Sequence, residues 1–553
     1  MGDIVIVNCT VADGRAASGV GPVADAAVLV RGDRIAAVGP REEILKGAGD
    51  ARRVDLGGAY LTPGLVNMHT HLSLSLPGAG GDGVKGMGPH ELALYMADGA
   101  RRTLHCGVTT VRCVAEKDHA DFALRRAIDS GRVPGPRVFT AGRALVCTGG
   151  HGHEGTDTLE CDGPDGFRRG TRAQIRAGAD LIKVMISGGI AGEHERIDTP
   201  QLFADEMAAV LSTAHAWGRK VTAHAGPAAV IAEAVRLGLD CVEHGYELTP
   251  EVAALMAERG TALVPTLLVT RCKEFFDELG VPEWMQCRSL GAGPRHLESY
   301  AMALAAGVEV LLGSDMPPFW DFEGTNATVR ELEHMSDSGL GPARALYAAT
   351  LGPARWLGAD ADLGTVEPGR YADLIAMDAD PLAATSAFRT VRWVMKGGEV
   401  VRDDRAAAPT ARAVVPAAGA VERPDPAETI ADTPADGAAT PGGELTTTGE
   451  GDMELYDLRV VVDRIEGRSV CGMEVGDCFE LERSAQLRLP DGKHFCVYAM
   501  ASVLPFLAAK QRDLADGDWL AQDSLFSCPD PEERLVMRVE RTRRRRMDSA
   551  DLT

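Results

Sequence analysis

The chain has 553 residues, 45% hydrophobic and 25% charged, an ordinary globular balance over a length that suits two or three domains. A net charge of −23 argues against a nucleic-acid partner, since phosphate binding rests on Lys and Arg. No apolar run reaches the roughly 18–20 residues of a membrane span, the opening MGDIVIVNCTVADG carries no export pattern, and the 12 scattered cysteines read as reduced thiols in a cytoplasm.

Residues 1–60 read as short β segments, Ile4–Val7, Ala27–Val30 and Arg34–Val38, separated by turn residues such as Arg31-Gly32-Asp33. Next comes LTPGLVNMHTHL, residues 61–72, in which an apolar run leads into His69 and His71. On a strand, an i, i+2 pair puts both imidazoles on one face. Strand candidates then alternate with helical patterns: Leu65–Leu72, Val108–Val114, Arg137–Ala141, Leu181–Ile186, Val221–Ala225, Cys241–Gly245, Ala262–Leu268 and Val310–Asp315. Phe203–Trp217 and Val252–Arg259 are among the helices between them. Such alternation implies a parallel sheet, and eight units over roughly 250 residues fit a (β/α)8 barrel, whose chemistry sits at the C-terminal strand ends.

A β texture returns at 364–402, with Gly364-Thr365-Val366, Ala372–Met377 and Val391–Lys396. By pattern alone the two β-rich flanks either pair into one small domain or form separate caps. Residues 404–452, rich in Ala, Pro, Thr, Gly and acid, read as a disordered linker. Residues 453–541 regain strand and helix patterns and would form a small α+β domain. Its Cys471, Cys478, Cys496 and Cys528 could be a metal or redox site or simply buried thiols, and C-x6-C is not a usual zinc spacing. The run Arg543–Arg546 reads as a solvated basic tail, 542–553.

Polar residues recur where the barrel strands end: His69 and His71, Lys183 in DLIKVMISGG, His224 in VTAHAG, His244 in CVEHG and Asp315 in LLGSD. Each alone has a bland reading: a core histidine, an edge lysine, a turn aspartate. Together they are expensive to bury unless paired or bound to metal. The loop CTGGHGHEGTD adds His151, His153 and Glu154 between glycines that can place side chains over a site.

These segments, with GVTTVR at 107–112, PTL, and LGTVEPGRYADLIAMDADP at 363–381, resemble the amidohydrolase superfamily. The likeness is greatest to its imidazolonepropionase-like and Xaa-Pro dipeptidase-like branch. The resemblance covers residues 1 to about 403 and implies a composite β-sandwich from 1–62 and 358–403 around a hydrolase barrel at 63–357. It further implies two divalent metal ions, of which zinc suits the imidazole and carboxylate donors. His69, His71 and Asp315 would hold one, and His224 and His244 the other. Lys183 would bridge them as a CO2-derived carbamate, its amine made nucleophilic by desolvation. Such a pair, roughly 3.5–4 Å apart, supplies hydroxide at neutral pH. Asp315 would pass its proton to the leaving nitrogen, with His151 near the substrate.

The expected reaction is hydrolysis of an amide or peptide C–N bond in a small-molecule amide, dipeptide or N-acyl amino acid. Mononuclear branches of the superfamily do without the bridging lysine. Dipeptidase-like relatives often carry a Tyr two residues after the strand-five histidine as an oxyanion donor. Gly226 stands there, so the carbonyl would be polarised by metal or by His151. Two alternatives are a mononuclear cyclic-amide hydrolase, and a binding or redox module in which the C-terminal domain is the working part. That domain resembles a small uncharacterised bacterial family in its C-G…GD-F, F-C and CPDP pattern, matched by Cys471, Cys496 and Cys528. The sequence leaves the oligomeric state open, a homo-oligomer included.

Overall fold

The structure, a computed structural model, describes residues 2–78, 83–405, 452–467, 471–482, 486–490, 493–513, 524–527 and 534–548. It divides into two compact units, Met1–Thr429 and Ile430–Thr553.

The first unit opens with β1 (Ile4–Val11), β2 (Val23–Arg31), β3 (Arg34–Pro40) and β4 (Arg52–Pro63). There follow β5 (Leu65–Thr70), β6 (Val108–Cys113), β7 (Arg137–Thr140), β8 (Ala144–Val146), β9 (Thr158–Glu160), β10 (Leu181–Met185), β11 (Lys220–Pro227), β12 (Cys241–Glu247) and β13 (Ala262–Val264). A short hairpin, β14 (Asp321–Phe322) and β15 (Thr325–Asn326), precedes β16 (Leu374–Met377), β17 (Val391–Lys396) and β18 (Glu399–Asp403).

The two β-rich flanks pair directly: Leu374 to Met377 lie antiparallel to Pro63 to Tyr60. Seven strands, ordered β18-β17-β16-β4-β1-β2-β3, thus form one hydrogen-bonded sheet rather than two separate stacked ones. Both flanks feed a common core that includes Ile6, Val28, Leu374, Trp393 and Met395. That shared burial ties residues more than three hundred positions apart and sets the first strand of the next layer beside it.

From β5 to β13 every strand pairing is parallel, in the orders β5-β6-β7 and β13-β12-β11-β10-β8-β9. β5, β6 and β10 are buried at every position, as strands covered on both faces require. Helices lie between them, including Pro89–His105, Gly163–Ala177, Ala204–Ala216 and Pro250–Arg259. The last shows why these segments are helical: the Thr249 side chain caps the first turn, Pro250 opens it, and Gly260 closes it at φ 70°.

Hydrogen bonds run beyond the regular ladders. Asp180 N donates to Thr140 O at 2.8 Å, Leu311 N to Leu263 O at 2.9 Å, and Met68 N to Leu312 O at 2.7 Å. The segment expected as the eighth strand, Val310–Asp315, therefore runs between β13 and β5, though its only bridge among the described residues is Leu263 with Val310. The seventh strand is shorter than expected. It stops at Val264 because Thr266 turns to φ 51° and Glu331 takes the Leu267 and Leu268 N–H groups at 2.8 and 2.7 Å, starting a 3-10 turn. β8 and β9, which bracket the Gly/His loop, are additions that no sequence pattern announced.

The second unit contains β19 (Asp452–Ile465), β20 (Cys478–Glu482), β21 (Gln486–Arg488), β22 (Ser524–Ser527) and β23 (Leu535–Asp548), all antiparallel in the order β21-β20-β19-β23-β22. Helix Val497–Lys510 buries Ala499, Val503 and Leu507 in one core with Leu458, Val460, Phe479 and Met537. The arginine run expected as a solvated tail lies in β23, with Arg543, Arg544 and Arg546 exposed. Arg545 pairs with Asp457 at 2.6 Å, and Arg544 with Glu454 and Asp513 at 2.7 Å, so acids on neighbouring segments hold the strand in register. Apart from Asp404, Arg405 and Asp452, the expected linker 404–452 lies outside the described residues, as does Cys528. No helix among the described residues is long and apolar enough to cross a membrane.

Candidate metal centre

β5 carries His69, and His71 follows directly after its last residue, Thr70; both histidines are buried. Each ring is fixed through Nδ1. His69 Nδ1 donates to Glu243 Oε2 at 2.8 Å, and His71 Nδ1 to the Ala115 carbonyl at 2.8 Å. That leaves both Nε2 atoms facing inward, 3.3 Å apart. Asp315 Oδ1 lies 3.0 Å from the Nε2 of His69 and 3.1 Å from that of His71. Asp315 is set there by its own backbone, whose N–H donates to His69 O at 2.8 Å.

The other side is built from β10, β11 and β12. His224 Nε2 donates to Gly188 O at 3.1 Å, leaving Nδ1 as its remaining ring nitrogen. His244 Nδ1 is 2.7 Å from Thr266 Oγ1, leaving Nε2. The rings of His224 and His244 stand 4.6 Å apart and those of His69 and His244 5.1 Å apart. Candidate ligand atoms of His69, His244 and Asp315 all lie within 4.8 Å of one another. Lys183, 1% exposed on β10, lines the same cavity.

The electrostatics suit a ligand set. Burial pushes His224 and His244 well below the usual imidazole range, so both are neutral, the form that binds metal. Burial lowers Lys183 to about 8, against the pull of Glu243 and Asp315. Burial would raise Asp315, but His69 and His71 hold its carboxyl well below the ordinary range. His244, Thr266 and Asp315 sit at φ 67°, 51° and 57°. These are left-handed conformations that cost non-glycine residues on the order of 1–3 kcal/mol each and gather where function requires a set direction.

Three lone-pair atoms, two Nε2 and one carboxylate oxygen, thus crowd within 3.3 Å with their outward nitrogens already committed. Such a set repels itself unless a proton or cation lies among the atoms, and imidazole with carboxylate is a donor set for zinc-like divalent ions. The residues fit a metal. All six expected strand-end residues line the one cavity.

His151 stacks on His224 at 4.2 Å, and its Nδ1 donates to Glu195 Oε1 at 2.5 Å. Burial works against ionisation of Glu195, yet the His151 contact brings it down to about 2. Gln201 binds the other Glu195 oxygen at 3.0 Å. Gly189 leaves room for that ring: a Cβ there would come 2.3 Å from His151 Cε1. His153 and Glu154 also line the cavity, but His153 Nδ1 is spent on Gly150 O at 2.9 Å. Gly226 has a steric reason too, since a Cβ would meet Ile197 O at 2.5 Å. A tyrosine cannot stand there without moving the Ile197 backbone.

Two supporting acids escaped the reading of the sequence. Glu243, fully buried on β12, takes His69 Nδ1, the Arg112 guanidinium and the Thr222 hydroxyl. Burial would raise its carboxyl, but Arg112 and His69 hold it well below the ordinary range. Glu116 receives the N–H groups of Leu72 and Ser73 at 2.6 and 2.9 Å and fixes the chain just past His71. For Glu243 the available signal was a carboxylate inside an apolar strand, which must find partners. The cavity, about 180 Å³, adds an apolar wall of Leu74, Leu76, Ile190, Phe276 and Met285, with Lys85 and Lys117 at its polar side.

A family model described as the amidohydrolase family matches residues 60–401, and one described as an imidazolonepropionase-like composite domain of bacteria matches residues 26–51. Ochratoxinase of Aspergillus niger is 29% identical over 428 residues, 69% of this chain and 84% of the relative. Among solved structures, a prolidase complexed with N-methylphosphonate-L-proline superposes with a TM-score of 0.66 at 28% identity, over 72% of this chain and 100% of that one. A Xaa-Pro dipeptidase with methionine bound in its active site gives 0.64 at 26% identity, over 72% and 100%.

Proposed function

The chain belongs to the amidohydrolase family, and from that premise we propose that it is a binuclear metal-dependent hydrolase of an amide or peptide C–N bond. The observation that carries this reading is the convergence of His69 Nε2, His71 Nε2 and Asp315 Oδ1 within 3.3 Å beside a buried lysine. In this reading the parallel strands and the 310–315 segment close into a (β/α)8 barrel. The bonds from Asp180 to Thr140, Leu311 to Leu263 and Met68 to Leu312 support that closure.

His69, His71 and Asp315 would hold one divalent ion, and His224 and His244 a second. Lys183, carboxylated on its neutral amine, would be shared between them. When bound, the two ions supply a nucleophile at neutral pH and a Lewis acid for the carbonyl. The protein's own residues do the rest. Asp315, ionised and held by two imidazoles, is the proton carrier between the attacking water and the leaving nitrogen. His151, oriented by Glu195, presents Nε2 to the substrate beside the ring of His224. The apolar wall excludes water and takes the substrate's acyl or side-chain part.

Relatives named prolidase and Xaa-Pro dipeptidase support a peptide-type substrate. Gly226, closed in by Ile197, supports a carbonyl that depends on metal or His151 rather than on a tyrosine. Elemental analysis of protein prepared with bicarbonate should give nearly two divalent metals per chain. A screen of N-acyl amino acids, dipeptides and aryl amides should then find turnover that chelation abolishes. A single, tightly held metal with full activity would instead assign the chain to the mononuclear cyclic-amide class and remove the role given to Lys183.

A further inference from the structure

The second unit holds a group that the hydrolase reading leaves unused. Cys471 Sγ donates to Cys496 Sγ at 3.2 Å. The two residues are 25 positions apart, and three contacts besides the thiols bring their segments together. His494 Nε2 donates to Cys471 O at 3.0 Å, Lys493 Nζ pairs with Asp477 Oδ1 at 3.0 Å, and Phe495 stands edge-on to Phe479 at 4.9 Å. Nothing has to unfold for the sulfurs to meet.

The thiols differ in surroundings. Cys496 is the N-cap of the 14-residue helix Val497–Lys510 and is 7% exposed. Its sulfur accepts from Cys471 at the start of that helix. Cys471 is only partly buried. In the first unit, burial pushes the Cys241 thiol up to about 12 and the Cys161 thiol up to about 11. Exchange through a mixed disulfide needs an attacking thiol and a second thiol within reach of it, and a pair of sulfurs 3.2 Å apart supplies both.

We infer that Cys471 and Cys496 form a thiol–disulfide exchange site whose substrates are low-molecular-weight disulfides, RSSR. Cys471 attacks one sulfur of RSSR. The S–S bond breaks, a mixed disulfide forms on Cys471, and one RS⁻ leaves and takes up the Cys471 proton. Cys496 then attacks Cys471 Sγ, displacing the second RS⁻, which takes up the Cys496 proton. Two protein thiols are oxidised to one disulfide and RSSR is reduced to two RSH. The sulfurs need close only from 3.2 Å to the bonded length of about 2.05 Å.

The test uses the full-length native protein, glutathione disulfide as probe, an N-ethylmaleimide quench and peptide mass mapping. The expected product is a 471–496 disulfide that forms before any other cysteine is modified and reverts with reduced glutathione. In Cys496→Ser the glutathione adduct should stay trapped on Cys471, and in Cys471→Ser no adduct should form at residue 496. Wild-type protein in which both cysteines take N-ethylmaleimide after probe treatment overturns the inference. So does a disulfide that joins Cys471 or Cys496 to Cys478 or Cys528 instead. Neither outcome depends on the variants folding or on the hydrolase reading.

Discussion

The histidine centre of the first unit and the thiol pair of the second are assembled in opposite ways. The centre gathers charged and ionisable groups from β5, β10, β11, β12 and the 310–315 segment, all nearly sealed from water except Asp315. Each of its four histidines is held by a contact on the other ring nitrogen: Glu243 on His69, Ala115 on His71, Thr266 on His244, Gly188 on His224. The thiol pair is two small neutral groups, one partly exposed, at a helix start and a loop. Removing one partner from a buried charge network strands the other, at a cost of several kcal/mol. Removing one neutral thiol strands little. The difference predicts where function and where stability will fail.

The largest effect is expected from the atoms that face inward. Asp315→Asn keeps the size and one oxygen donor but cannot carry a proton. Turnover should fall by roughly 10²-fold or more while most metal is retained. An active Asp315→Asn, measured by initial rates and elemental analysis on the same sample, would move proton transfer to His151 or Glu154. Lys183→Ala should abolish measurable hydrolysis and release at least one metal equivalent, with acetate or bicarbonate restoring part of the first only if the lysine acts as a carboxylate. Wild-type metal content and rate in that variant would end the case for the bridge.

Next come the contacts behind the ligands. Glu243→Gln leaves His69 a weaker, neutral acceptor and removes the partner of Arg112. Metal affinity should drop by roughly 10- to 100-fold, read by competition with a chromogenic chelator. Glu195→Gln should act on the substrate side alone: kcat/KM falls about tenfold, with metal content unchanged, because His151 loses a charged acceptor rather than its place. Equal losses of metal in both variants would mean that His151 belongs to the metal centre after all. At the small end, Cys471→Ser should shift the unfolding free energy by less than about 1 kcal/mol and leave hydrolysis intact. A large loss of stability there would show that the second unit depends on the pair as the first depends on its charges.

Much of the centre was legible before any coordinates. His69, His71, His224, His244 and Asp315 were read at the ends of apolar strand runs and Lys183 inside one, and buried charges so placed have few explanations besides a shared ligand. The supporting groups were harder to read. Glu243 and Arg112 are 131 residues apart and meet only because β6 and β12 both line one interior. Glu195 lies in a stretch, residues 191–200, with no strand or helix to mark it. Residues 543–546 suggest a solvated end, and three of the four arginines are exposed, but the run lies in a strand in which Glu454 and Asp513 pair with Arg544 and Asp457 with Arg545.

The sequence by itself determined the alternation of strands and helices and the order in which ligand-type residues reach the strand ends. Periodicity and burial cost are local properties, written in runs of a few residues. Only the tertiary structure decided which nitrogen of each histidine faces inward, that β4 and β16 join the two flanks in one sheet, and that Cys471 meets Cys496. Those outcomes depend on which hydrogen-bond acceptor a neighbouring segment happens to present, and that neighbour is chosen by packing across long sequence distances, not by the residues on either side.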